Sequence, residues 1–141
     1  MKQDDERGTG EGLDKAVVAF TVHPNDGKKG VQETTLQAIV KHGARAAKLH
    51  CSVGKYSILH ENLTPFWQLA NQVLFPVIVH FGTSISGNTA TEELRQVENL
   101  LETYPNVRLV IAHSGHPAVQ WAIRLAIKFD NVYLDTTPVG E

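Results

Sequence analysis

The residues of this chain that could do chemistry recur at one kind of place, the end of a short apolar run. His23 follows the run 16–22 (AVVAFTV), Lys48 and His50 lie near the end of 44–51 (ARAAKLHC), and His80 lies near the end of 77–81 (VIVHF). His113 ends 107–113 (VRLVIAH), His116 follows just beyond it, and Asp135 falls within 132–136 (VYLDT). Five of the seven histidines therefore stand at such an end or just after it. Neutral imidazole is a good ligand for zinc and similar divalent ions, and it moves protons near neutral pH. Several imidazoles gathered at one edge would suit either task.

Each of them also has a plainer role. A lone histidine at a strand end is more commonly a hydrogen-bonded loop residue than a ligand, and that is the expectation for His23. His50 is open to either role. His116, before Pro117, is expected to cap a helix or face solvent, and His42 and His60 are expected at the surface. His80 and His113 differ because each follows a stretch of apolar residues and shortly precedes a glycine (Gly82 and Gly115). A titratable ring is thereby set at the rim of a dry core, which favours function for these two.

The elements that must position these residues follow from the periodicity. Between the apolar runs lie helical patterns: 31–42 with Gly43 as its stop, a helix capped by Asn62 and carrying Leu63, Phe66, Trp67, Ala70 and Val73, a helix over 89–104, and one through Phe129 with Pro117 in its first turn. Strand and helix alternate with a unit length of roughly 25–31 residues, the size of one βα repeat. Strands re-entered after a helix run parallel, and a parallel sheet is covered on its faces, which suits these nearly continuous apolar strands. The fold class is α/β. In such folds ligands bind at the C-terminal edge of the sheet, where the histidines are gathered. Lys48 and His50, two apart on one strand, share a face.

Composition narrows the partners. The chain has 141 residues, enough for one domain, with 42% hydrophobic and 20% charged residues. A net charge of −2 gives no electrostatic footprint for nucleic acid. No apolar stretch approaches the roughly 20 residues of a membrane span. Residues 1–14 are polar and read as a flexible lead-in rather than a signal peptide, with the domain proper at 15–141. The single cysteine, Cys51, fits a reducing cytoplasm and reads as a small buried hydrophobe. There is no Walker loop, no Gly-x-Gly-x-x-Gly after a strand and no Gly-x-Ser-x-Gly, so nucleotide-binding and serine-hydrolase chemistry lack support.

Four stretches carry a family resemblance: 43–50 (GARAAKLH), 63–82 ending in PVIVHFG, 104–117 through VIAHSGHP, and 131–135 (NVYLD). Together they resemble the amidohydrolase superfamily, and within it the amidohydrolase-related branch that includes aminocarboxymuconate-semialdehyde decarboxylase. The resemblance implies a (β/α)8 barrel of which this chain supplies strands three to seven. It implies a divalent metal, most commonly zinc, in the complete protein, with His80 similar to a metal-ligand histidine. His113 is similar to the histidine that contacts substrate or activated water. Lys48, His50 and His116 would bind a small carboxylate- or carbonyl-bearing substrate, bordered by the loop 82–88, and the reaction would be hydrolysis or non-oxidative decarboxylation. Asp135 falls on strand seven and does not match the metal-binding aspartate of strand eight.

The departures are as informative. No His-x-His pair stands before His23, the strand-eight aspartate has no counterpart, and a complete barrel takes about 200 residues or more. The expectation is therefore a partial barrel, inactive alone. The alternatives are a non-enzymatic α/β binding module and a self-assembling half-barrel, a homodimer joined through its open sheet edges.

Overall fold

The computed structural model of the protein describes residues 16–81 and 90–137. The expected lead-in at 1–14 and the loop at 82–88 lie outside the described residues.

Five strands form one sheet: β1 (Ala19–Phe20), β2 (Ala46–His50), β3 (Val77–His80), β4 (Leu109–Ile111) and β5 (Val132–Leu134). Every neighbouring pair is parallel, and the order in space is the order in sequence. That order has a consequence. Parallel crossovers are almost always right-handed, so an unbroken sequential order puts every connecting helix on the same side of the sheet. A doubly wound sheet would reverse its order somewhere; this one follows an arc of a barrel.

Burial along the strands agrees. Ala47, Leu49, Val77, Val79, Leu109 and Ile111 are fully buried toward the helices. Their alternates on the other face, Lys48, Ile78, Val110 and Tyr133, are exposed or half-buried. The connections are α1 (Gly27–Val40), a single turn α2 (Cys51–Gly54), α3 (Thr64–Val73), α4 (Ala90–Thr103) and α5 (Val119–Lys128).

The core lies between the sheet and these helices. Phe66 and Trp67 of α3 are buried, and each such side chain stabilises the fold by roughly 1.5–3 kcal/mol. Trp67 satisfies its indole N–H on the Ile58 carbonyl at 2.8 Å. Phe66 meets Phe20 edge-on at 6.0 Å, and Phe75 stands 5.7 Å from Phe20, so the two-residue β1 is held by aromatic packing as well as by its ladder. On the outer layer the Arg95 and Arg124 guanidiniums lie 5.4 and 5.5 Å from the Trp121 ring, linking α4 to α5.

The expected elements are present with adjusted ends. Every strand is shorter than its apolar run; after β2 the helical turn at Cys51–Gly54 takes over, and after β4 the 3-10 turn at Ala112–Gly115 does. Asn62 is not the cap. His60 accepts the Asn62 N–H on its ring nitrogen at 3.1 Å, and the Asn62 amide instead reaches the Pro24 carbonyl at 2.9 Å, tying two loops together. Pro117 lies outside α5, which begins at Val119. Gly43, after the last turn of α1, takes a left-handed φ of 64°, as a stop residue should. Cys51 is buried, and burial, followed by the nearby Glu93 carboxylate, pushes its thiol up to about 12, so it is no nucleophile.

Candidate functional site

Parallel register brings His50 and His80 side by side at the C-terminal edge of β2 and β3. Neighbouring strands lie about 4.8 Å apart, so side chains that share a face there must touch. The two rings stack, with centroids 4.0 Å apart and planes 17° from parallel. His113, at the end of β4, completes the row by meeting His80 edge-on at 4.8 Å. Among the described residues the contacts between histidine rings run only through these three.

Their protonation follows from crowding. Burial first, then the neighbouring His50, His113 and Lys48, pushes the His80 pKa down to about 4. His50 is also lowered, by burial and then by the Lys48 ammonium. At neutral pH His80 therefore stays uncharged, in the form that can accept a proton or a ligand.

Hydrogen bonds fix which nitrogen carries the proton on His50. Its Nδ1 accepts the Val53 backbone N–H at 3.3 Å, with the Ser52 hydroxyl also at 3.3 Å. The ring proton must then be on Nε2. Lys48 stands exposed on the open face of the same strand, and with Ala19, Phe20, Thr21 and His50 it lines a cavity of about 410 Å³. A second cavity of about 290 Å³ opens beside it, lined by Thr21, His23, His50 and Tyr56 among others.

His23 and His116 stand apart from the row. His23 accepts the Asn25 N–H on Nδ1 at 3.1 Å and donates from Nε2 to the Gly54 carbonyl at 2.9 Å, so both nitrogens are used. A Cβ at Gly54 would run into the Tyr56 ring, which stacks edge-on against His23 at 4.9 Å. His116 is exposed beyond the turn after β4, its N–H bonded to the His113 carbonyl at 3.0 Å.

Two polar residues at the site, Ser52 and Thr137, are not apparent from strand-end position. Thr137 lies 3.0 Å from His113 Nδ1 through its hydroxyl. The signal for it was an Asp-x-Thr sequence after β5, in which an aspartate turns the chain onto its own carboxylate.

The family profile described as Amidohydrolase matches residues 9–140. The chain belongs to the amidohydrolase family. No curated protein matches it in sequence. Among solved structures it is similar to an uncharacterized TIM-barrel protein from Bordetella bronchiseptica, with 21% identity, a TM-score of 0.70, and 85% of this chain covered against 42% of that one. It is also similar to a dihydroorotase from Campylobacter jejuni, at 18% identity and TM-score 0.60, covering 86% of this chain and 34% of that one. A 4-oxalomesaconate hydratase from Rhodopseudomonas palustris follows at 16% identity and TM-score 0.50, covering 79% and 39%. These likenesses bear on the fold, an arc of a TIM barrel. The amidohydrolase chain thus spans less than half the length of each structure.

Among the described residues, the metal that the family resemblance implies does not find a full set of ligands. Among the described residues no group of three or more His, Cys, Asp or Glu side chains is placed to hold an ion. The stacking of His50 on His80 explains part of this. Ring-nitrogen lone pairs lie in the ring planes, and two stacked rings with centroids 4.0 Å apart and nearly parallel planes do not converge on an ion about 2.0–2.1 Å from each nitrogen.

Proposed function

We propose that this chain supplies one arc of an amidohydrolase site of the aminocarboxymuconate-semialdehyde decarboxylase-like branch. The site would act on a small substrate bearing a carboxylate or carbonyl, by hydrolysis or by non-oxidative decarboxylation. The observation that carries this reading is the contiguous row His50–His80–His113 at the C-terminal edge of a parallel sheet, beside the Lys48 cavity.

In this reading His113 moves the proton. It takes one from an attacking water in hydrolysis, or delivers one to the carbon that has lost carbon dioxide in decarboxylation. Lys48 and the Nε2–H of His50 attract the substrate's anionic end toward the cavity they share, and His116 stands at the outer rim. His80 stays neutral, as a metal ligand must, but one imidazole does not hold a catalytic ion, which generally takes three protein ligands. Further ligands would come from outside the described residues, and the chain alone would be inactive.

The test is direct. Equilibrium dialysis of the 141-residue chain against zinc is expected to show weak, sub-stoichiometric binding that falls further in His80→Ala. Small carboxylates at millimolar concentration are expected to shift the NMR signals of Lys48, His50 and His113. Zinc-dependent turnover by this chain alone would overturn the divided site, and silence of those three residues would overturn the substrate assignment. The β1 and β5 edges, unpaired among the described residues, favour a homodimer as a second reading, to be read from the mass in solution.

A further inference from the structure

The segment around His113 is held in a costly shape. His113 and Ser114 both take left-handed backbone angles (φ 52°, ψ 31° and φ 50°, ψ 29°), a conformation that side chains with a Cβ disfavour. Such a turn persists only where its surroundings enforce it, and here the enforcing residue is Asp135. The Ser114 N–H and hydroxyl both donate to the Asp135 carbonyl, at 2.9 and 3.1 Å, and the Asp135 N–H donates to the Ile111 carbonyl at 3.0 Å.

The Asp135 side chain then acts through Thr137. Its Oδ1 accepts the Thr137 backbone N–H at 2.9 Å and its Oδ2 accepts the Thr137 hydroxyl at 3.0 Å. An ionised carboxylate can only accept, so the one hydroxyl proton of Thr137 is committed to it. The Thr137 oxygen, 3.0 Å from His113 Nδ1, is left to accept, and the ring must donate. The contacts fix the direction of every hydrogen bond in this chain of three residues.

We propose that Thr137 and Asp135 are positioning residues that lock His113 in its Nδ1–H tautomer, leaving a lone pair on Nε2 as the proton acceptor of the site. The arrangement follows the logic of a triad in which a carboxylate sets the tautomer of a catalytic imidazole, here with a hydroxyl between the two. Its counterpart is His50, whose Nδ1 accepts from Val53 and whose Nε2 therefore carries the proton. One end of the histidine row presents a donor and the other an acceptor. The proposal deepens the reading of His113 as the group that moves a proton, but its test needs no turnover and so can fail independently of that reading.

The measurement is imidazole nitrogen-15 NMR on the full chain at a pH where the ring is neutral, without metal or substrate. The wild type is expected to show a protonated Nδ1 and a bare Nε2 on His113. Thr137→Val, which keeps the shape and removes the hydroxyl, is expected to shift the ring toward Nε2–H, and Thr137→Ser to restore the native pattern. Asp135→Asn makes the sharper test. Its carbonyl oxygen must face the Thr137 N–H, so its amide donates to the Thr137 oxygen, and the hydroxyl proton is redirected to His113 Nδ1. The tautomer should invert while the fold remains. A wild-type ring carrying its proton on Nε2 would overturn the proposal even if every variant failed to fold. An unchanged tautomer in folded Thr137→Val or Asp135→Asn would do the same.

Discussion

The two ends of the sheet are built from different chemistry. At the N-terminal ends of β4 and β5, amides do structural work: Asn71 Oδ1 accepts the Asn106 N–H at 2.8 Å, and the Asn131 amide donates to the carbonyls of Pro105 and Val107. Asn71, Pro105, Asn106 and Asn131 line a cleft of about 920 Å³ with Arg108, Lys128 and Tyr133 among its walls. At the C-terminal ends imidazoles take the place of amides and touch one another. Amides do not titrate, and each of these satisfies a fixed backbone group. The stacked imidazoles do titrate, and neighbouring rings repel once charged. One end holds the loops in place while the other keeps reactive groups neutral and crowded, the division expected between the lower and upper faces of a barrel.

The largest effect that would sharpen this contrast belongs to the amide end. Asn131→Ala removes a donor to two carbonyls and is expected to destabilise the protein by about 1–3 kcal/mol in urea unfolding. The imidazole NMR signals at the other end should stay where they are. If those signals moved, the two ends would not be independent.

A smaller effect belongs to the histidine row and depends on pH. His80 has its pKa lowered to about 4 in the folded chain, against 6.5 when unperturbed. Between those values the unfolded chain binds a proton that the folded chain refuses, so stability is full above the unfolded pKa and falls as pH drops toward the folded one. Because the ring is only half-buried, solvent screening reduces the loss to on the order of 1 kcal/mol. Unfolding in chelator across this range should show the decline, and His80→Gln should flatten it.

The smallest effect separates strain from function at His113. A glycine accepts the left-handed backbone there and an alanine does not, so His113→Gly is expected to be more stable than His113→Ala by about 1 kcal/mol. Both lack the ring, and the proposed reading expects both to keep the response of Lys48 and His50 to small carboxylates. Equal stability of the pair would mean that the turn relaxes once the ring is gone.

Much of this was legible in the sequence. The five apolar runs locate five strands, and parallel pairing of equivalent ends makes His50 and His80 neighbours once their register is known. The stacking of the rings was not legible, since it depends on the register that sets His50 directly opposite His80 and on the rotamers both rings adopt. Asn62 misled because asparagine before an apolar stretch is a common cap, whereas here its amide is spent on a loop formed some forty residues earlier, at the Pro24 carbonyl. Thr137 was overlooked for a related reason: the Asp-x-Thr pattern encodes only its local bonds to Asp135, while its contact with His113 comes from a left-handed turn after another strand.

The sequential strand order also governs how this protein comes apart. Each strand bonds only to units adjacent in sequence, so the sheet resembles a short solenoid in which cooperativity is handed along from one repeat to the next. The links are unequal: β2 and β3 pair through 47–50 and 77–80, while β1 meets β2 only through 19–20 and 46–47. Amide exchange should therefore be slowest at the His50–His80 seam and faster toward either end, with the strained turn at His113 on the side that breathes more. The middle of the histidine row rests on the stiffest part of the arc, and His113, the end proposed to move the proton, rests on a part that exchanges faster.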